Sequence, residues 1–318
     1  MHVSVVIGTY NRAHLLAGTL EALAGQEVPA GLEWEIVVVD NNSRDRTRDV
    51  VAALCRRTTI PVRYVFEPRQ GLSHARNRGL REARGAIIAF TDDDVLPAPD
   101  WIARIPAALD RWNAHGVGGR ILPRWGTPPP RWLIDNRHLL NRLAVMDFDA
   151  SRPLALPLPE RPQVWGANMA FRRELFERVG DFDPRLGVIG KKLSRGEETD
   201  LITRALAQGL VIAYDATLIV LHRIDSDRMR KAYFRKMTFD DAQVARRAVP
   251  PLDGRSFLGA PVWLYRLLLT DFLRWARLAV LRRPEAFDQQ LVCLSWAGRL
   301  SGYWTADRGG RVDRPSAS

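Results

Sequence analysis

The sequence predicts an α/β fold: a Rossmann-like, doubly wound sheet followed by a C-terminal helical extension. Three observations lead there. Short β-branched runs alternate with amphipathic helical patterns through the first third of the chain, polar residues collect where each run stops, and from Arg223 onward helical spacing takes over in an arginine- and aromatic-rich stretch. A chain of 318 residues with 46% hydrophobic content has enough apolar surface for one large or two modest cores.

Residues 3–7 form the first predicted strand, ending at Gly8, and a polar turn through Arg12 leads into a helix to about residue 24. Residues 36–39 are a continuous apolar run of the kind buried on both faces, stopping at Asp40. A helix from Ser43 to about Arg57, a strand over 62–66, a helix over 71–84 and a strand over 86–90 complete a βαβαβαβ pattern. That last strand runs into Asp92, Asp93 and Asp94. Three adjacent carboxylates repel one another and do not pack in an apolar core, so a cation is expected to hold them. In extended chain Asp92 and Asp94 share a face and Asp93 points away. Two such carboxylates suit Mg²⁺ or Mn²⁺, which take oxygen ligands and share them with phosphates. The competing readings are a solvated turn, or Asp94 as the cap of a helix beginning near Pro99.

Ligands of doubly wound sheets bind outside the carboxyl ends of the strands, so residues 8–12, Asp40 and the acidic triad should face one crevice. Tyr10 offers a stacking face there, and Asp40 an acceptor for a base N–H. No Gly-x-Gly-x-x-Gly and no phosphate loop follows the first strand, which argues against a dinucleotide enzyme and a P-loop NTPase. The formal net charge of +11 and pI of about 10.4 favour acidic partners without choosing among nucleic acid, anionic lipid and phosphorylated substrates. Cys55 and Cys293 give no disulfide framework, which suggests a reducing compartment. The opening eight residues read as a strand rather than a targeting signal.

The runs VVIGTYNR, EIVVVDNNSRDRT, GLSHARNRGL and AFTDDDVLPAPDWI, in this order and spacing, resemble the nucleotide-binding half of glycosyltransferase family 2, enzymes of the GT-A fold. The resemblance implies that Thr9, Tyr10 and Arg12 line the nucleotide and that Asp40 reads its base. It implies further that Arg76 and Asn77 border the ribose and diphosphate, and that Asp92 and Asp93 adjoin the nucleotide. Asp92 and Asp94 match the family's Asp-x-Asp metal pair.

Beyond a predicted helix to about Asp110 and a strand over 117–121, two proline-rich loops carry Trp125 and Trp132, which could stack on a sugar, meet lipid or pack inward. The run 163–173, with Trp165 and a Gly-x-Asn ending at Asn168, again resembles the family, where it lies beside acceptor and diphosphate. A basic loop over 187–194 with Lys191 and Lys192 could close over an anionic donor. Next come Glu197, Glu198 and Asp200 at the front of a helix, where acids are ordinary dipole partners. Family 2 enzymes usually carry Gly-Glu-Asp here, the aspartate taking the acceptor's proton. Glu198 stands in that place, one methylene longer, and is the expected base. Glu197 flanks the acceptor and diphosphate, and Glu197 and Asp200 are the rival bases. A free glutamate has a pKa of about 4.3, and one raised nearer 6 by partial burial would be a better base. His222, after an apolar strand over 218–221, is structural or, as in some metal-dependent relatives, completes the ion's shell.

Over 257–283 helical spacing sets Arg266, Arg274 and Arg277 on one side and Leu268, Leu269, Phe272, Ala279 and Val280 on the other. The reading is peripheral membrane contact; packing on the catalytic domain or on a second subunit is the alternative. The tail 309–318 is expected to be disordered. The expected domains are 1–222, GT-A catalytic, with halves 1–94 and 95–222, and 223–318, helical. The implied enzyme is an inverting glycosyltransferase using Mn²⁺ or Mg²⁺. It moves a sugar from a nucleotide-sugar donor, uridine-linked by family lean, to a glycan or lipid-linked acceptor. Polysaccharide biosynthesis at the cytoplasmic face of the plasma membrane is its expected setting, with homo-oligomers open and no nucleic-acid partner. A nucleotidyltransferase and a basic nucleic-acid-binding protein are the rivals.

Overall fold

The computed structural model describes residues 1–159, 162–188, 196–248 and 255–306, with the side chains of 244–248 and 306 left out. Lys191, Lys192 and the tail 309–318 therefore lie outside the described residues. The chain divides into two compact units, the first ending at Met229 and the second beginning at Arg230. The last strand of the first unit runs through His222 to Ile224.

In the first unit β1 (Val3–Thr9), α1 (Ala13–Ala24), β2 (Trp34–Asp40), α2 (Thr47–Cys55), β3 (Val62–Phe66), α3 (Leu72–Glu82) and β4 (Ile87–Asp92) follow the predicted alternation. Their strands pair in parallel in the order β3-β2-β1-β4. Every residue of β2 is buried, as its unbroken apolar run requires. Beyond β4 the sheet becomes mixed. β5 (Val95–Pro97), α4 (Trp101–Arg111), β6 (Gly116–Trp125), α5 (Arg131–Ile134), α6 (Arg137–Asn141), β7 (Arg152–Pro153), β8 (Met169–Arg172), α7 (Arg173–Val179), α8 (Glu197–Ala207) and β9 (Ile212–Ile224) complete the unit. The full order is β3-β2-β1-β4-β8-β6-β9-β5, with β7 against β9. Trp125 ends β6, Trp132 lies in α5, and both are half-buried.

Two strands that the sequence did not predict at these lengths position the site. β5, three residues long, begins directly after Asp94 and pairs antiparallel with β9, Val95 opposite His222. The Arg223 amide donates to the Asp94 carbonyl at 2.9 Å, so His222 is held beside the acidic triad. Asp94 consequently does not cap α4, which starts at Trp101. Beneath the site Phe90, Phe171, Phe176 and Phe182 pack edge to face or tilted, with ring centroids 5.3 to 6.4 Å apart.

The second unit contains α9 (Lys231–Ala248), the short pair β10 (Ser256–Phe257) and β11 (Ala260–Pro261), α10 (Val262–Val280) and α11 (Ala286–Ala306). Both α9 and α10 pack on α11. Asp271 of α10 accepts hydrogen bonds from Trp296 Nε1 (2.7 Å) and Gln289 Nε2 (2.9 Å) of α11. Leu264 and Leu268 face α11, whereas Leu269, Phe272 and Val280 are exposed. The single apolar face predicted for α10 is therefore divided, because the helix packs through the side that carries Asp271. No helix among the described residues is long and apolar enough to cross a membrane.

Candidate active site

The strand ends at Thr9, Asp40 and Asp92 open to one edge of the sheet, as predicted, but many of their polar groups are committed to one another. β4 stops at Asp92, so the strict alternation expected of the triad breaks there. Asp93 and Asp94 share one guanidinium: Arg12 Nη1 donates to Asp93 Oδ1 at 2.6 Å and Nη2 to Asp94 Oδ2 at 2.7 Å. Thr9 Oγ1 donates to Asp93 Oδ2 at 2.7 Å. Thr9 and Asp93 are each 3% exposed and brace the triad instead of lining a surface. Burial, reinforced by the neighbouring carboxylates, pushes Asp93 up to about 7 against the pull of Arg12. Asp94 lies well below the usual carboxylate range despite its burial, with the charges of Arg12 and Arg228 beside it among the causes.

Arg76 links this edge to the front of α8. It is 3% exposed, its guanidinium stacked 5.5 Å from the Phe182 ring centroid. Nη1 contacts Glu197 Oε1 at 2.8 Å and Glu198 Oε1 at 3.4 Å, and Nη2 lies 3.7 Å from Asp92 Oδ1. Gly196, at φ +118°, makes the left-handed turn that starts α8 and presents both glutamates. Glu198 Oε1 also accepts from the Gly166 amide at 3.1 Å. Gly166 is glycine for lack of space: a Cβ there would lie 1.9 Å from Arg76 Nη2 and 2.6 Å from Glu198 Oε1.

The two glutamates are driven apart. Burial first, then the Glu198 charge, pushes Glu197 up to about 8, so it keeps its proton at neutral pH. Burial would raise Glu198 as well, but the Arg76 charge and backbone amides hold it below its ordinary value. The upward shift is thus found on Glu197, while Arg76 satisfies Glu198 as an anion. Asp200 faces elsewhere, paired with Arg204 at 2.9 Å, which removes it as a rival base.

Other expected ligand contacts prove to be internal. Asn77 Nδ2 donates to the Phe182 carbonyl at 2.8 Å and Oδ1 accepts from the Phe182 amide at 3.0 Å, tying α3 to the loop under Arg76. Asn168 is 1% exposed. Its Nδ2 donates to the carbonyls of Arg120 and Leu218 and its Oδ1 accepts from Trp101 Nε1, each at 2.9 Å, so it bolts β6 to β9 rather than meeting an acceptor. Asp40 accepts from Tyr64 Oη at 2.6 Å and from the Ser43 amide at 2.8 Å. Trp165 is half-buried, its Nε1 donating to Gln163 Oε1 at 2.8 Å. Of the nucleotide-side residues Tyr10 is 39% exposed, and the side chains of Arg12 and Asp92 are 39% and 34% exposed.

Asp94 and His222 supply the donor chemistry of a divalent-cation site. His222 Nε2 lies 3.4 Å from Asp94 Oδ1, and its buried Nδ1 makes no hydrogen bond, so the ring's polar contacts are all on its Asp94 side. The carboxylate oxygen suits Mn²⁺ or Mg²⁺, and the imidazole nitrogen suits a divalent ion softer than Mg²⁺. Among the described residues no three such side chains converge on one point, however, and Asp92 is turned towards Arg76. What stands between Asp94 and His222 is Arg228 of the 3₁₀ turn Ser226–Met229, a residue that sequence reasoning missed. No periodicity signals it, since only the course of β9 and the turn after it bring it back.

The sequence profile of glycosyl transferase family 2 matches residues 4–180. The succinoglycan biosynthesis protein ExoM of Rhizobium meliloti is 28% identical over 248 residues, spanning 78% of this chain and 75% of its own. Validoxylamine A glucosyltransferase of Streptomyces hygroscopicus subsp. jinggangensis is 33% identical over 235 residues, 65% of this chain and 52% of its own. Among solved structures, the mannosyltransferase PcManGT from Pyrobaculum calidifontis, in complex with GDP-Man and Mn²⁺, matches 98% of this chain and 76% of its own with a TM-score of 0.57 at 22% identity. Staphylococcus aureus TarS 1–349 in complex with UDP-GlcNAc matches 98% and 93% with a TM-score of 0.53 at 16% identity. These structures share the GT-A fold with this chain. The nucleotidyltransferase alternative is set aside: this chain is a glycosyltransferase and belongs to glycosyl transferase family 2.

Proposed function

We propose that the enzyme inverts the anomeric centre in a single displacement. A sugar moves from a nucleotide diphosphate donor, uridine-linked by the family resemblance, to a hydroxyl of a glycan or lipid-linked glycan. The observation that carries this is the placement of the Glu198 carboxylate at the front of α8, held by Arg76 at 3.4 Å and by the Gly166 amide at 3.1 Å, with Arg76 reaching Asp92 on the other side. Glu198, ionised and 18% exposed in its side chain, takes the acceptor proton as the acceptor oxygen bonds to the anomeric carbon. The bond from that carbon to the diphosphate breaks, and the nucleoside diphosphate leaves with the electron pair. Arg76 holds Glu198 in register with Asp92 on the donor side. Tyr10 stacks on the base. Asp94 and His222, joined by Asp92 once it turns from Arg76, would hold Mn²⁺ or Mg²⁺, which when bound neutralises charge growing on the leaving diphosphate. The Mn²⁺ in the PcManGT complex and the role named for ExoM in succinoglycan biosynthesis support a metal-dependent step in polysaccharide assembly. The test is a panel of nucleotide sugars scored for nucleoside diphosphate release with Mn²⁺, Mg²⁺ or chelator, and for product configuration by NMR. Release that survives chelation sinks the metal dependence. A retained configuration sinks the single displacement.

The same proposal sets the reaction at an anionic membrane surface. On α10, Leu269, Leu273 and Val280 are 61%, 60% and 82% exposed along one narrow arc, with exposed Arg266 and Arg277 beside them. An apolar strip flanked by guanidiniums matches acyl chains flanked by lipid phosphates. The protein is expected to sediment with phosphatidylglycerol vesicles, to leave phosphatidylcholine vesicles in solution, and to lose the binding in the double substitution Leu269→Ser, Leu273→Ser. Equal binding by that variant would show that this strip is not the contact.

A further inference from the structure

Arg228 occupies the point that the proposed metal reading needs. Its Nη1 lies 3.0 Å from His222 Nε2 and 3.2 Å from Asp94 Oδ2. A guanidinium has donors and no acceptor, so in this contact His222 Nε2 accepts, through the lone pair that would bind a cation. The carboxylate oxygen of Asp94 is engaged in the same way. A divalent ion bonded to both atoms would share that space with a positive charge, so ion and guanidinium exclude each other.

We infer that Arg228 is the resident cation of the Asp94–His222 pair, and that it yields this position to the divalent ion when a donor diphosphate arrives to receive its guanidinium. The inference rests on the metal-dependent reading above. Arg12 is the less movable of the two arginines on the triad, because it grips Asp93 and Asp94 together at 2.6 and 2.7 Å. Arg228 makes the longer contacts with this pair, at 3.0 and 3.2 Å, and reaches in from a single 3₁₀ turn. A diphosphate offers a guanidinium charged acceptors in the geometry it favours. Two consequences follow. Metal binding to the nucleotide-free enzyme is weak, and metal and nucleoside diphosphate bind with strong positive coupling, because the diphosphate removes the competitor.

The test is a Mn²⁺ titration followed by electron paramagnetic resonance, on the full chain, with and without UDP. Wild type, Arg228→Gln, Arg228→Lys and Asp94→Asn are compared, with thermal unfolding to confirm folding; Arg228→Met replaces the glutamine variant should that one fail to fold. Without UDP, Arg228→Gln is expected to bind Mn²⁺ about tenfold more tightly than wild type, and Arg228→Lys, which keeps the charge, about as weakly as wild type. UDP should tighten Mn²⁺ binding to wild type by about tenfold more than it does in Arg228→Gln. Equal affinities and equal coupling in wild type and Arg228→Gln, with Asp94→Asn weakened, overturn the inference and leave the metal site standing. No Mn²⁺ bound by any of the proteins, even with UDP, overturns both.

Discussion

Glu198→Gln is expected to lower the turnover number by about 10²- to 10⁴-fold, the usual contribution of a positioned general base. Nucleoside diphosphate affinity should stay within about twofold, because the group lost acts only as the acceptor proton departs. The amide is close to isosteric, and its oxygen can still accept the Gly166 N–H now held at 3.1 Å. It cannot take up a proton. The fold should tolerate the change. Glu197 is pushed up to about 8 by burial and then by the Glu198 charge, so removing that charge lets Glu197 ionise more readily and remain the partner of Arg76 at 2.8 Å. The check is kcat and KM with the preferred nucleotide sugar alongside calorimetric binding of the nucleoside diphosphate. Unchanged turnover would remove Glu198 from the role of base.

The nucleotide half of the fold was legible because its signals are local. β2 announces itself as an unbroken buried run, and α3, predicted over 71–84, is observed over Leu72–Glu82. The acidic triad was legible as chemistry, but its geometry was not. Alternation holds only while the chain is extended, and β4 ends at Asp92, which lets Asp93 and Asp94 turn onto the single guanidinium of Arg12. Asn77 and Asn168 were assigned to ligands by their motifs and are internal bolts. Whether a buried amide finds its partners depends on Phe182, Trp101, Arg120 and Leu218, which lie far from it in sequence. Glu198 shows the same limit in its electrostatics. Burial alone would raise it, and the arginine that reverses this meets the glutamate pair across 121 residues of sequence from Glu197.

Gly166→Ala tests whether Arg76 must stay where it is. The methyl group would stand 1.9 Å from Arg76 Nη2 and 2.6 Å from Glu198 Oε1, well inside contact distance. One of the three groups has to move. Glu198 has the most room, with 18% of its side chain exposed, while Arg76 is enclosed by Phe182, Glu197 and Asp92 at 3% exposure. Shifting either group breaks the register between the base and the donor-side carboxylate. A misplacement of about 1 Å is worth roughly 10² in rate, so turnover should fall by at least about that factor. Stability should fall only by the cost of overpacking, about 1–3 kcal/mol, leaving a folded protein that binds nucleotide. The measurements are steady-state turnover, thermal unfolding and nucleoside diphosphate affinity on the same preparation. Wild-type turnover in a folded Gly166→Ala enzyme would mean that Arg76 and Glu198 can separate without penalty, and the coupling of donor and acceptor sides through Arg76 would have to be abandoned.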